Sequence, residues 1–197
     1  CRYKVIDLPY YKKDNSLRQS SIDYIQLCYK VFNEDYAHIV NMEEIAEQSF
    51  DEMEAYLLMK EKTNQKINEA SEKMNRAADS FAARYNVKVI ASKSELEGKL
   101  ETASKLNHYH NQVYLLFFKC YWQDGKLRDA LATKKVTDIE QARNALITYA
   151  AEGLSTLDTL KVFEGDPLLA ATCRKSLNFY KKMGETDAKA LTDFFIA

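Results

Sequence analysis

Between Ser16 and Tyr85 the chain contains neither Gly nor Pro. A stretch of that length without a residue that breaks hydrogen-bonded backbone is committed to helix. As one unbroken helix it would run ~105 Å at 1.5 Å per residue, too long for a compact domain of 197 residues. The chain must therefore turn inside it. Two places compete: the polar run Asn33-Glu34-Asp35, and Ser49-Phe-Asp-Glu52, which reads as a capping box in which hydroxyl and carboxylate satisfy each other's backbone N–H groups. A turn at Ser49 is preferred, since it leaves helices of about 33 and 37 residues, comparable with the next one.

That next helix, Ser94 to Lys135, opens on a second capping box, Ser94-Glu-Leu-Glu97. Its middle, Val113-Tyr-Leu-Leu-Phe-Phe-Lys-Cys-Tyr-Trp122, holds one charge in ten residues, short of the ~20 apolar residues a bilayer span needs. Leu106, His110, Val113, Phe117, Cys120, Asp124, Leu127 and Leu131 recur at steps of three and four, marking an inward seam. Flanking Leu115, Leu116, Phe118 and Trp122 make the helix apolar nearly all round, as a central element should be. Gly125 is a weak break within it, at a cost of ~1 kcal/mol relative to Ala.

Around this centre the other inward faces follow. Tyr24, Cys28, Val31, Met42 and Ile45 serve the first helix. Met53, Leu57, Ile67, Met74, Ala77, Ala78 and Phe81 serve the second, whose stretch from Lys60 to Arg76 is thin in large hydrophobes and is assigned to the surface or a bundle end. Thr137-Asp-Ile-Glu140 offers a third capping box for a fourth helix that buries Ala142, Leu146, Tyr149, Ala150, Gly153, Leu157 and Leu160. Ala150 and Gly153 leave room for a close neighbour. Phe163-Glu-Gly-Asp-Pro167 ends that helix, with Gly165 in a left-handed cap and Asp166-Pro167 opening a fifth that buries Leu168, Ala171, Leu177 and Tyr180. An amphipathic segment, Asp187 to Ile196, closes the chain. Val5-Ile6 and Val87–Ile90 are short strand-like runs. The expected architecture is all-α, an elongated antiparallel up-down bundle of four to five long helices, with residues 1–14 as a tether and 15–197 as one domain.

Charge is balanced, 28 basic against 29 acidic residues, so no nucleic-acid partner is suggested. A di-iron bundle needs two Glu-x-x-His pairs. The nearest match, Asp35-Tyr-Ala-His38, occurs once, and His108 and His110 point about 200° apart on a helix. With no Cys-x-x-Cys, no His-Glu-x-x-His, no Gly-rich phosphate loop and no Gly-x-Ser-x-Gly, neither a metal, a cofactor nor a catalytic residue is assigned. Cys28, Cys120 and Cys173 read as inert core thiols.

The positive oddity is 13 Tyr. Tyr29 and Tyr36 project away from the inward face of the first helix, and Tyr is favoured at interfaces because it offers rigid, amphipathic area. A partner-facing patch on that side, for a protein or a glycan, is one expectation. A small-molecule pocket between helices near His110, Trp122 and Tyr149, as in an extracytoplasmic sensor or carrier, is the other.

Asp138-Ile-Glu-Gln-Ala-Arg143 through Glu152-Gly-Leu154, then Leu160-Lys-Val-Phe-Glu-Gly-Asp166 and Leu177-Asn-Phe-Tyr-Lys181, resemble an uncharacterised family of helical bacterial surface proteins. Many of its members are predicted lipoproteins of the Bacteroidota. The resemblance is most evident over residues 105–183. It implies a helical bundle in the cell envelope, held at the outer membrane by lipid on the amine and thiol of Cys1, and carries no catalytic residue.

Overall fold

The structure, a computed structural model, describes residues 2–88 and 95–196. The fold is an all-α helical bundle, with no strand among the described residues. The chain divides into two compact units. One comprises Cys1–Glu47 with Glu52–Glu101, the other Gln48–Asp51 with Thr102–Ala197.

The first unit holds α1 (Arg2–Ile6), α2 (Ser16–Lys30), α3 (Tyr36–Ile45) and most of α4 (Phe50–Tyr85). Val5-Ile6, read as strand-like, lies in α1. Residues 2–14, assigned to a tether, fold onto this unit. The Arg18 guanidinium caps α1, donating to the carbonyls of Val5 (3.2 Å) and Ile6 and to Asn15 Oδ1 (3.1 Å). Carbonyls at a helix C-terminus lack intrahelical partners and sit at its negative end, so a cation suits them. Cys1, Ser94 and Val89-Ile90 lie outside the described residues.

Both proposed turns inside the Gly- and Pro-free stretch leave a mark. A 3₁₀ segment, Ala46–Gln48, ends the first arm just before Ser49 and α4 starts at Phe50, as expected. The rejected site, Asn33-Glu34-Asp35, lies within a single π turn, Val31–Asp35, that joins α2 to α3 without ending the helix. A π turn inserts one extra residue into the α-helical register. Beyond it Ile39 and Ala46 are buried and the expected Met42 is half-buried, while the expected Ile45 is exposed. Ile22, Val31 and Ile39 on this arm, with Met53, Tyr56 and Leu57 of α4, are the large buried apolar side chains among the described residues of the unit, joined by Ala46 and Ala82.

The second unit packs α5 (Glu95–Thr133) with α6 (Val136–Thr159), α7 (Leu168–Glu185) and α8 (Asp187–Ile196). Short turns join consecutive helices, so neighbours run antiparallel. The seam of α5 is Tyr109, Val113, Leu116, Cys120, Gln123, Leu127 and Ala130, a strict alternation of four and three. It shares Val113, Cys120 and Leu127 with the expected seam, and the expected Asp124 is buried and Phe117 and Leu131 pack against the core, but Tyr109 takes the place of Leu106 and His110, both exposed. Gln123 occupies a seam position because its amide donates to the Ala142 carbonyl (3.1 Å), which satisfies it in the core. Facing α5 are Ile139, Leu146 and Leu157 of α6 and Leu177 of α7, each worth ~1.5–3 kcal/mol of burial. Leu168, expected inward, is 70% exposed at the start of α7. Gly125 does not interrupt α5.

Of three helix starts, two share one device and the third does not. Thr137 is not an N-cap: α6 begins at Val136, after left-handed Lys134, with no side-chain cap. The Phe163–Asp166 turn forms as read, with Glu164 and Gly165 at φ +47° and +84° and Asp166 Oδ1 accepting from the Leu168 N–H (2.8 Å). The same device precedes α2. Lys12 and Lys13 take φ +48° and +67°, the Asp14 N–H donates to the Tyr11 carbonyl (2.8 Å), and Asp14 Oδ1 accepts from the Ser16 N–H (2.7 Å). Positive φ at both central residues defines a type I′ turn. In each case the leading aromatic ring anchors it, Tyr11 on Phe81 and Tyr85, Phe163 on Tyr109.

Candidate interaction face

The π turn of the first unit presents aromatic rings to solvent. Tyr29 is 70% and Phe32 63% exposed. Tyr36, half-buried, stacks on Phe32 with ring centroids 5.3 Å apart and planes within 9°. The spacing 29, 32, 36 places all three on one side, and exposed Val40 extends it by another turn. Local polar contacts hold the turn: Asn33 Nδ2 donates to the Tyr29 carbonyl (2.7 Å), Lys66 pairs with Asp35 (2.8 Å), and the Tyr36 hydroxyl reaches Asn64 Oδ1 (3.5 Å). Phe32 was missed in the sequence because a single Phe between two Tyr carries no signal of its own.

This face has rings, hydroxyls and flanking charge, including Lys30–Glu34 (3.7 Å), but no nucleophile beside a base. What it offers is contact area. Large apolar side chains clustered in water mark interaction sites on soluble surfaces, and π turns recur at functional positions.

The other expected pocket does not gather its residues. His110 is exposed and stacks on Tyr114 (5.8 Å). Trp122 lies twelve residues further along α5, about 18 Å of helix rise. Its indole N–H donates to the Gln48 carbonyl (3.1 Å) and Lys126 lies over its ring (4.5 Å). Tyr149 is covered instead by Lys119, whose ammonium sits 4.1 Å from the ring centroid and 3.3 Å from Glu152. Trp122 and Tyr149 are thus committed to packing.

Cys120 and Cys173 are buried, and burial pushes their thiols up to about 12 and about 11, which keeps them protonated and inert. Cys28 is half-buried and, like them, free. Buried Asp124 is held by Arg128 through two contacts (2.7 and 3.0 Å). Among the described residues no cluster of three or more His, Cys, Asp or Glu is placed to hold a metal, and no helix is long and apolar enough to cross a membrane.

No family model, curated protein or solved structure matches this chain.

Proposed function

We propose that this chain is a non-catalytic interaction protein of the cell envelope, held at the outer membrane by lipid on Cys1. In this reading it engages a protein or glycan partner through the Tyr29/Phe32/Tyr36 face. The observation that supports the reading is the exposure of Tyr29 and Phe32 side by side at the π turn, with Phe32 stacked on half-buried Tyr36. The family resemblance of residues 105–183 supports the address. With α1 and the Tyr11–Asp14 turn folded onto α2 and α4, an anchor on Cys1 would carry the first unit close to the membrane.

Two measurements test the two halves of the proposal. Mass spectrometry of the protein from its native envelope fraction should show a diacyl or triacyl mass on Cys1; an unmodified Cys1 would remove the anchor. Retention of the anchor-free chain on envelopes stripped of the native protein should fall ~10-fold in Tyr29→Ala/Phe32→Ala, the scale of losing an aromatic interface anchor. Unchanged retention on the double variant would remove the face.

A further inference from the structure

The first unit contains a cavity of about 330 Å³ between α2 and α4, lined by none of the rings of the aromatic face. Its origin is legible in the packing. The α4 seam runs Thr63, Ile67, Ala70, Met74, Ala77 and Phe81 at alternating steps of four and three. Ala70 is the small member of the seam at this level, and Tyr24 and Leu27 of α2 line the same space without filling it. Tyr24 cannot swing in to close it freely, because its hydroxyl is engaged with Cys28 and Ser71.

The walls carry charge of both signs that is not internally neutralised. Asp23 and Glu69 each accept one hydrogen bond from a glutamine a turn earlier, Gln19 and Gln65 (both 2.7 Å). Neither they nor Lys73 makes an ion pair among the described residues, although all three line the same cavity. The fourth charged wall residue, Lys66, is occupied by Asp35 (2.8 Å). Two carboxylates and one ammonium thus face a common space across an apolar floor of Tyr24, Leu27 and Met74. The volume is at the lower end of small-ligand sites.

We propose that this cavity binds a small zwitterion of amino-acid type with an apolar side chain. The ligand's ammonium lies between Asp23 and Glu69, its carboxylate at Lys73, and its apolar body over Tyr24, Leu27 and Met74 in the space left by Ala70. A purely apolar ligand would leave Asp23, Glu69 and Lys73 to water and gain nothing from them. An inorganic ion would leave the floor unfilled.

Isothermal titration of the full chain with L-phenylalanine, 2-phenylethylamine and 3-phenylpropionate tests this. Saturable binding of L-phenylalanine is expected, with each one-ended analogue at least ~10-fold weaker, the worth of one charge-assisted hydrogen bond. Ala70→Leu, which fills the cavity, should abolish binding, and Lys73→Gln, an exposed change that leaves the core alone, should weaken it ~10-fold. Three results overturn the proposal: no saturable heat up to ~10 mM ligand, analogues that bind as tightly as the amino acid, or Lys73→Gln with unchanged affinity.

Discussion

Gly153 lets α6 approach α7, and replacing it exposes how the second unit is packed. A Cβ built there would lie 2.9 Å from Leu177 Cδ1, 3.6 Å from Cδ2 and 3.7 Å from Leu116 Cβ. Carbon atoms settle at ~3.5–4.0 Å, so the Leu177 methyl must retreat by about 0.6 Å. Leu177 is fully buried, and its retreat is into other side chains, not solvent. Overpacking of this kind costs ~1–3 kcal/mol. Against it, Ala gains ~1 kcal/mol over Gly in a helix interior. Gly153→Ala should therefore destabilise by ~1 kcal/mol net.

Leu177→Ala alone should cost ~2–5 kcal/mol through lost burial and a cavity. In that background the obstructing methyl is gone. Gly153→Ala should then stabilise by ~1 kcal/mol, so the double variant is stronger than the Leu177→Ala single. The coupling between the two sites is ~1–3 kcal/mol, as expected for residues in contact. Trp122 is the chain's single Trp and belongs to the second unit, so urea unfolding followed by its fluorescence reads that unit alone. A Gly153→Ala effect of the same sign and size in both backgrounds would refute the close contact.

Two further perturbations probe the electrostatics. Hydrogen bonds from Ser16, and then from Tyr85 and Arg84, hold the Asp14 carboxyl well below its ordinary value of 3.8, so its contribution to stability is present above that value and is lost as pH falls towards the folded-state value. Asp14→Asn should therefore be less stable at neutral pH and lose less on acidification from pH ~5 to ~2, measured as urea midpoints by far-UV circular dichroism; parallel curves for the two proteins would contradict this. For the buried thiols, Cys120 and Cys173 at about 12 and about 11 should be alkylated by iodoacetamide at pH ~8 at least ~100-fold more slowly in the native protein than in urea. Comparable rates, read by peptide mapping, would show that these sites are open.

Periodicity sufficed for the helices and much of their burial. Val113, Cys120 and Leu127, the inward side of α6 from Ala142 to Leu157, and the Gly165 turn were all legible, because each depends on spacing along one helix or on the backbone freedom of one residue. Local chemistry did not reveal everything. The cap at Thr137 fails because left-handed Lys134 already turns the chain into α6, and the Tyr11–Asp14 turn forms on two lysines that carry no turn signature. The interaction face was half legible: Tyr29 and Tyr36 stood out by type, Phe32 did not.

The amino-acid pattern by itself determined that this protein is helical, where its turns fall and which stripes are apolar, since those follow from the 3.6-residue period and from where Gly, Pro and capping residues stand. Tertiary structure decided register and site. Beyond the π turn at Val31–Asp35 the arm buries Ala46 and leaves Ile45 in solvent. The partners of Gln123 and Tyr109 make them core while His110 is left outside. The charged stretch of α4, which reads in isolation as plain surface, becomes the wall of a cavity because Tyr24 and Leu27 of α2 line the same space. Such outcomes depend on what another helix brings to the contact, and no single helix encodes its neighbour.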